Sequence, residues 1–123
     1  MSKKLIIIAD DEPAYGTILK NTLENEGYNV EVALNGEELL KIAQSKNSAL
    51  FILDLVMPVK NGFEVLAEIK KDEKLKNIKV IALSNLGQEE DVEKAKALGA
   101  DDYIVKSDIA LKKVVLKIKN LLD

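Results

Sequence analysis

Short apolar runs alternate with helix-period segments along the whole 123-residue chain, and that alternation leaves few folds open. Leu5-Ile-Ile-Ile-Ala9 is unbroken, apolar and β-branched, as a strand covered on both faces must be. Pro13 follows where a first helical turn tolerates it, and Tyr15, Leu19 and Leu23 recur at four-residue spacing until Gly27 stops the helix. A second strand is predicted over 28–33, ending at Asn35-Gly36. Glu37 and Glu38 then open a helix with Leu39, Leu40, Ile42 and Ala43 as its inward stripe. A third strand spans 49–53, and Asn61 is placed to cap a helix carrying Phe63, Leu66 and Ile69. A strand over 78–83, a helix over 88–98 stopped by Gly99 and a strand over 103–105 follow. The last helix, over 108–122, is striped by Leu111, Val115, Ile118 and Leu122. Strict (βα)5 alternation predicts one α/β domain, 1–123: a doubly wound parallel five-stranded sheet with right-handed crossovers and helices on both faces.

Composition removes whole classes of chemistry. The chain has neither cysteine nor histidine, so disulfides, thiolate catalysis, Cys/His zinc sites and His-dependent triads are all excluded. A net charge of −3, with three Tyr, two Phe and no Trp, offers neither a basic footprint nor stacking platforms for nucleic acid. The lysines at 70–79 and at Lys112, Lys113, Lys117 and Lys119 fall at helical spacing, as solvated faces do. Apolar runs are too short to span a bilayer. Met1-Ser2-Lys3-Lys4 leads straight into the first strand without a signal-peptide core, so a cytoplasmic location is expected.

The residues that follow the strands carry the functional signal. Strand one ends in Asp10-Asp11, strand three in Asp54, strand four in Ser84 and strand five in Lys106. Open α/β sheets bind ligands beyond the carboxyl ends of their strands, where strand order reverses. The flavodoxin-like order 2-1-3-4-5, taken from known doubly wound sheets rather than from spacing here, sets strands one and three side by side. Asp10, Asp11 and Asp54 then converge, flanked by Ser84 and Lys106. Two carboxylates about 5 Å apart repel by roughly 3 kcal/mol at an effective dielectric of about 20. Lys106 offsets one charge, and a hard divalent cation such as Mg²⁺ suits the all-oxygen remainder. A nucleophilic carboxylate, a metal, a cation and a hydroxyl together equip a site for phosphoryl transfer to aspartate. Taken singly, each residue reads as a helix cap, a turn former or a surface charge; the joint placement is what argues for chemistry. Asn35, at the far edge in this order, reads as structural.

These residues resemble the response-regulator receiver family over nearly the whole chain. LIIIADDE (5–12) is similar to its acidic first-strand motif and LDLVMPVKNG (53–62) to its acceptor segment; Ser84, the stretch LGADDY (98–103) and Lys106 complete the set in order and spacing. The resemblance implies a signalling switch rather than an enzyme acting on a separate substrate. Asp54 is implied as the acceptor of a phosphoryl group from a histidine kinase or histidine phosphotransfer protein. Mg²⁺ (or Mn²⁺) is implied on Asp11 directly, on Asp10 mainly through water, on Asp54 and on the Val56 backbone carbonyl. Lys106 and Ser84 are implied to contact the phosphoryl group, and Ser84 and Tyr103 to act as the switch pair. A downstream effector protein is expected, with no nucleic acid or membrane contact, and a monomer or weak phosphorylation-dependent dimer in which Ile109, Val114 and Leu121 form core margin or seam. No output domain is expected after the last helix.

Four positions depart from the family pattern. Ser107 stands where Pro is usual, and a cis bond before a non-proline residue costs about 2.5–4 kcal/mol, so a trans bond is expected. Asn85 follows Ser84 where a small residue is common. Val56 and Leu86 flank the line of water attack without a polar group, which implies slow loss of phosphate. Competing readings are a phosphate-independent pseudo-receiver, a flavodoxin-like cofactor binder and a hydrolase with a nucleophilic Asp. The second needs a Ser/Thr/Gly-rich cradle where Asp-Asp-Glu-Pro stands; the third needs a cap domain and a second acid in register.

Overall fold

The computed structural model describes residues 3–122; Met1 and Ser2, which enter the leader reading, and Asp123 lie outside the described residues. Five strands, β1 (Leu5–Ala9), β2 (Asn29–Ala33), β3 (Leu50–Leu53), β4 (Lys79–Ser84) and β5 (Asp102–Val105), form one sheet in the order β2-β1-β3-β4-β5. Every pairing is parallel, with Ile8 opposite both Val32 and Ile52, and Ile52 opposite Ile81. Between them run α1 (Pro13–Asn25), α2 (Gly36–Ser45), α3 (Gly62–Lys71) and α4 (Glu89–Ala97), and α5 (Leu111–Leu122) closes the fold.

Period-two alternation splits the sheet into two cores. Ile7, Phe51, Leu53 and Val80 face α2, α3 and α4 through Leu39, Leu66, Ile69 and Ala95. Ile6, Ile8, Ile52 and Leu83 face α1 and α5 through Leu19, Leu23, Val114 and Ile118. Each β1 residue from 6 to 9 is wholly buried, which is why the run carries no polar side chain.

Local chemistry sets the helix ends. Asn35 caps α2 by accepting from the Glu38 N–H at 2.9 Å, so its structural reading holds. Asn61 and Glu64 form a reciprocal capping box at the start of α3. Gly27, at φ +101°, closes α1: its N–H bonds Glu24 and the Tyr28 N–H reaches back to Leu23, and Gly99 closes α4 in the same way at φ +112°.

The last helix is shorter than its periodicity predicts. Lys106–Asp108 make one 3-10 turn, Ile109 returns to extended backbone, and Ala110 accepts the first helical bonds from Lys113 and Val114. The interruption turns the chain from the tip of β5 back onto the sheet, a requirement that periodicity does not encode. Val114 is fully buried and belongs to the core, so it forms no seam; Ile109 and Leu121 pack against that core partly buried. Among the described residues no helix is long and apolar enough to cross a membrane.

Candidate functional site

The carboxyl ends of β1, β3, β4 and β5 open on one side of the sheet, and the polar residues collect there. The Asp10 and Asp54 N–H groups still bond the Ala33 and Ala9 carbonyls, at 3.1 and 2.9 Å, so both side chains leave from the last rungs of the ladder. Asp10, Asp54, Ser84 and Lys106 are the buried polar and charged residues of the described chain. Lys106 Nζ lies 2.7 Å from Asp10 Oδ2, 3.2 Å from Asp54 Oδ2 and 3.0 Å from Glu12 Oε1. The second oxygens are also used: Asp10 Oδ1 accepts from the Glu12 N–H at 2.9 Å and Asp54 Oδ1 from the Val56 N–H at 3.1 Å.

Beside this knot lies a cavity of about 320 Å³ lined by Asp11, Glu12, Asp54, Val56, Ser84, Asn85 and Leu86. Asp11 and Val56 are exposed on its rim. Ser84 Oγ accepts from the Leu86 N–H at 3.3 Å, and the Tyr103 hydroxyl donates to the Leu86 carbonyl. Leu86 therefore ties the hydroxyl at the end of β4 to the half-buried tyrosine of β5. The Lys106–Ser107 bond is trans, as expected from Ser107.

The loop after β3 is held by its own geometry. The Gly62 N–H bonds the Leu55 carbonyl at 3.1 Å, and a β-carbon at Gly62 would stand 2.6 Å from the Leu55 α-carbon and collide with the Asp54 carbonyl oxygen. Only glycine lets α3 start this close to the end of β3. Just before it, the Lys60 N–H bonds the Pro58 carbonyl at 2.7 Å in a γ-turn centred on Val59, at φ +69°.

Charge accounts for the electrostatics. Burial pushes the Asp10 carboxyl above its ordinary value, and the Asp54 charge adds to that, against the lowering bonds from Lys106 and the Glu12 N–H. Burial alone would lower the Lys106 ammonium, but the bonds to Asp10 and Glu12 and the charge of Asp54 prevail and raise it well above the ordinary lysine value. Three carboxylates against one ammonium leave an excess of two negative charges. One oxygen from each of Asp10, Glu12 and Asp54 lies within 4.8 Å of the others. An all-oxygen set of this charge fits a hard divalent cation.

The structure thus brings Asp10, Asp54 and Lys106 into direct contact and places Asp11, Val56 and Ser84 around the adjoining cavity. Asp11 is not one of the three converging carboxylates; Glu12, which the sequence reading passed over, takes that place. No one-dimensional signal separates Glu12 from Asp11: residues 10–12 lie beyond β1, and Asp11 lines the same cavity as Glu12 and Asp54. Tyr15, read as a core residue, has its ring 4.5 Å from Lys106 Nζ.

Residues 6–119 match the response regulator receiver domain family. This chain belongs to that family. The receiver domain is 38% identical over 122 residues to the probable transcriptional regulator ycf27 of Cyanophora paradoxa, covering 99% of this chain and 49% of that protein. Against SrrA of Staphylococcus aureus it covers 47%, so the chain spans about half the length of these curated relatives. Among solved structures it is similar to a CheY-like receiver domain protein of Methanospirillum hungatei (TM-score 0.91, 32% identity, 99% of this chain and 95% of that one). It is also similar to the response regulator TrrA of Thermotoga maritima, solved with Mg²⁺ and BeF (TM-score 0.84, 39% identity, 97% and 99%). The receiver domain is a unit of two-component signalling, a switch whose family chemistry is phosphorylation.

Proposed function

We propose that this receiver domain accepts a phosphoryl group on Asp54 from a phosphohistidine of a histidine kinase or phosphotransfer protein, and thereby alters its hold on a downstream partner. The observation that carries the reading is Asp54 itself: buried, 3.2 Å from Lys106 Nζ, and open to a cavity that Ser84 also lines. An Asp54 oxygen attacks phosphorus, the P–N bond of the donor breaks, and the imidazole leaves with the bonding pair. Lys106 and the Ser84 hydroxyl meet the oxygens of the transferred group, which brings about −1.5 to −2 charges. Asp54, the acidic run Asp10-Asp11, the Val56 carbonyl and Glu12 would hold Mg²⁺ or Mn²⁺, which would supply positive charge against the developing anion. Ser84, on turning to the phosphoryl group, releases the Leu86 N–H it now accepts from. The same residue's carbonyl holds Tyr103, so the event passes from acceptor to the outer face of β5. A location in the cytoplasm, where such donors act, is part of this reading.

Phosphorylation by a small-molecule phosphoramidate with Mg²⁺, read by intact mass, tests it. Wild type gains one phosphoryl group and Asp54→Asn gains none; equal uptake by the variant, or none by folded wild type, sinks the assignment. A phosphate-independent docking role has no specific feature of the site in its favour.

A further inference from the structure

Lys106 is enclosed more fully than a simple counter-ion needs to be. Its Nζ meets Asp10, Glu12 and Asp54 at 2.7, 3.0 and 3.2 Å, and an ammonium has three N–H donors, so the carboxylates take up all of them. The Tyr15 ring then forms a further wall, its centroid 4.5 Å from the nitrogen. Tyr15 belongs to the first turns of α1, whereas Lys106 opens the 3-10 turn after β5, so the contact joins two elements far apart in the chain. The Lys106 side chain is left 5% exposed.

We propose that Tyr15 is a positioning residue for phosphoryl transfer, its ring face holding the Lys106 ammonium at the acceptor while the surrounding carboxylates change partners. The proposal rests on Asp54 being the acceptor. Asp54 commits an oxygen to the new P–O bond, and Asp10 belongs to the acidic run assigned to the metal, so neither keeps a constant hold on Lys106 through the reaction. The Glu12 side chain is 54% exposed, which weakens its pull and leaves it a solvated alternative. The ring differs from all three. Its quadrupole attracts a cation without carrying charge, the attraction is stronger where water is excluded, and it is unchanged by phosphorylation of Asp54. Without it, an ammonium on a four-carbon stem has rotamers to explore just when its acceptors are being withdrawn.

Packing is the competing explanation, since Tyr15 is partly buried against the core of α1 and α5. Size and electronic character separate the two. The test compares Tyr15→Phe, Tyr15→Leu and a series of phenylalanines at position 15 bearing one, two and three ring fluorines, which weaken the ring quadrupole stepwise at nearly constant shape. With the small-molecule phosphoramidate donor, Tyr15→Phe stays within about 2-fold of wild type and Tyr15→Leu loses about 3- to 10-fold in phosphorylation rate. The fluorinated series falls in order. Without Mg²⁺ or donor, the Lys106 ε-methylene protons show an upfield ring-current shift in wild type and Tyr15→Phe that Tyr15→Leu lacks. A rate that stays flat across the fluorinated series, or a missing ring-current shift, overturns the proposal and leaves the acceptor assignment standing. Failure of folded wild type to take up any phosphoryl group overturns both.

Discussion

Asp10 holds a buried carboxyl at the tip of β1. Its carboxyl is raised above 3.8, chiefly by burial, so the folded protein holds that proton more tightly than the unfolded chain does. A raised group contributes stability that is complete below its unfolded value and is lost as pH rises through the folded one. Asp72 has the opposite sign: backbone bonds from Lys74 lower it, so its contribution is present above 3.8 and lost as pH falls through the folded value. In metal-free buffer Asp10→Asn is therefore expected to gain stability relative to wild type as pH climbs from about 4 toward neutrality. Urea unfolding at a series of pH values checks this, and a difference independent of pH would contradict the burial argument. Val56 makes a second case. Exposed on the cavity rim and apolar, it offers an attacking water no hydrogen bond, as does Leu86 across the opening. Val56→Asn is expected to shorten the phosphoryl half-life several-fold, followed by loss of the mass increment over time. An unchanged half-life would remove position 56 from the hydrolytic step.

Among the elements, α4 is the least anchored. Ala95 is its one buried residue, Val92 and Leu98 are half-buried, and its N-cap Gln88 makes no side-chain cap bond. By contrast α5 buries Val114, Val115 and Ile118 and α3 buries Val65, Leu66 and Ile69. Low buried area means low local stability, and mobile elements are drawn from that end of the range. The loop before α4 is strung between Ser84 and Tyr103 through Leu86, so a change at Ser84 reaches the helix directly. Lys94 on α4, 4.4 Å over the Phe63 ring of α3, is an exposed tie of about 0.5–1 kcal/mol that such a movement can break. Amide exchange with and without Mg²⁺ and beryllofluoride is expected to differ over residues 84–105 and to match over β1 and β3. Equal protection across 84–105 in both states would rule out this element as the switch.

At the scale of the whole molecule, two apolar cores brace the sheet on either side, and the strained charge is confined to its carboxyl edge. A cation that binds there stabilises the native state alone. At ten times its Kd it adds about 1.4 kcal/mol, a rise of roughly 4–6 °C in Tm for a domain of this size. Calorimetry with and without Mg²⁺ reads the effect, which Asp54→Asn should diminish. No shift at millimolar Mg²⁺ would argue against the metal assignment. Of the four lysines on α5, Lys117 faces Asp102 and Lys119 pairs with Glu26 at 2.7 Å, in keeping with a solvated face.

Alternation, strand count and the polar residues beyond the strands were legible from one-dimensional pattern because backbone periodicity and burial are local properties. Asn35, Asn61, Gly27 and Gly99 announced their helix ends for the same reason: caps depend on a few neighbouring φ/ψ values. Which carboxylates meet was not local. Asp10 and Glu12 are brought onto Lys106, Glu12 across 94 residues of chain, by the closure of the sheet, while Asp11 lines the adjoining cavity. The 3-10 turn before α5, the Tyr15 ring against Lys106 and the tie from Leu86 to Tyr103 likewise depend on where β5 ends relative to β1 and β4. Such contacts are fixed by the register and twist of strands distant in sequence, and only the assembled sheet decides them.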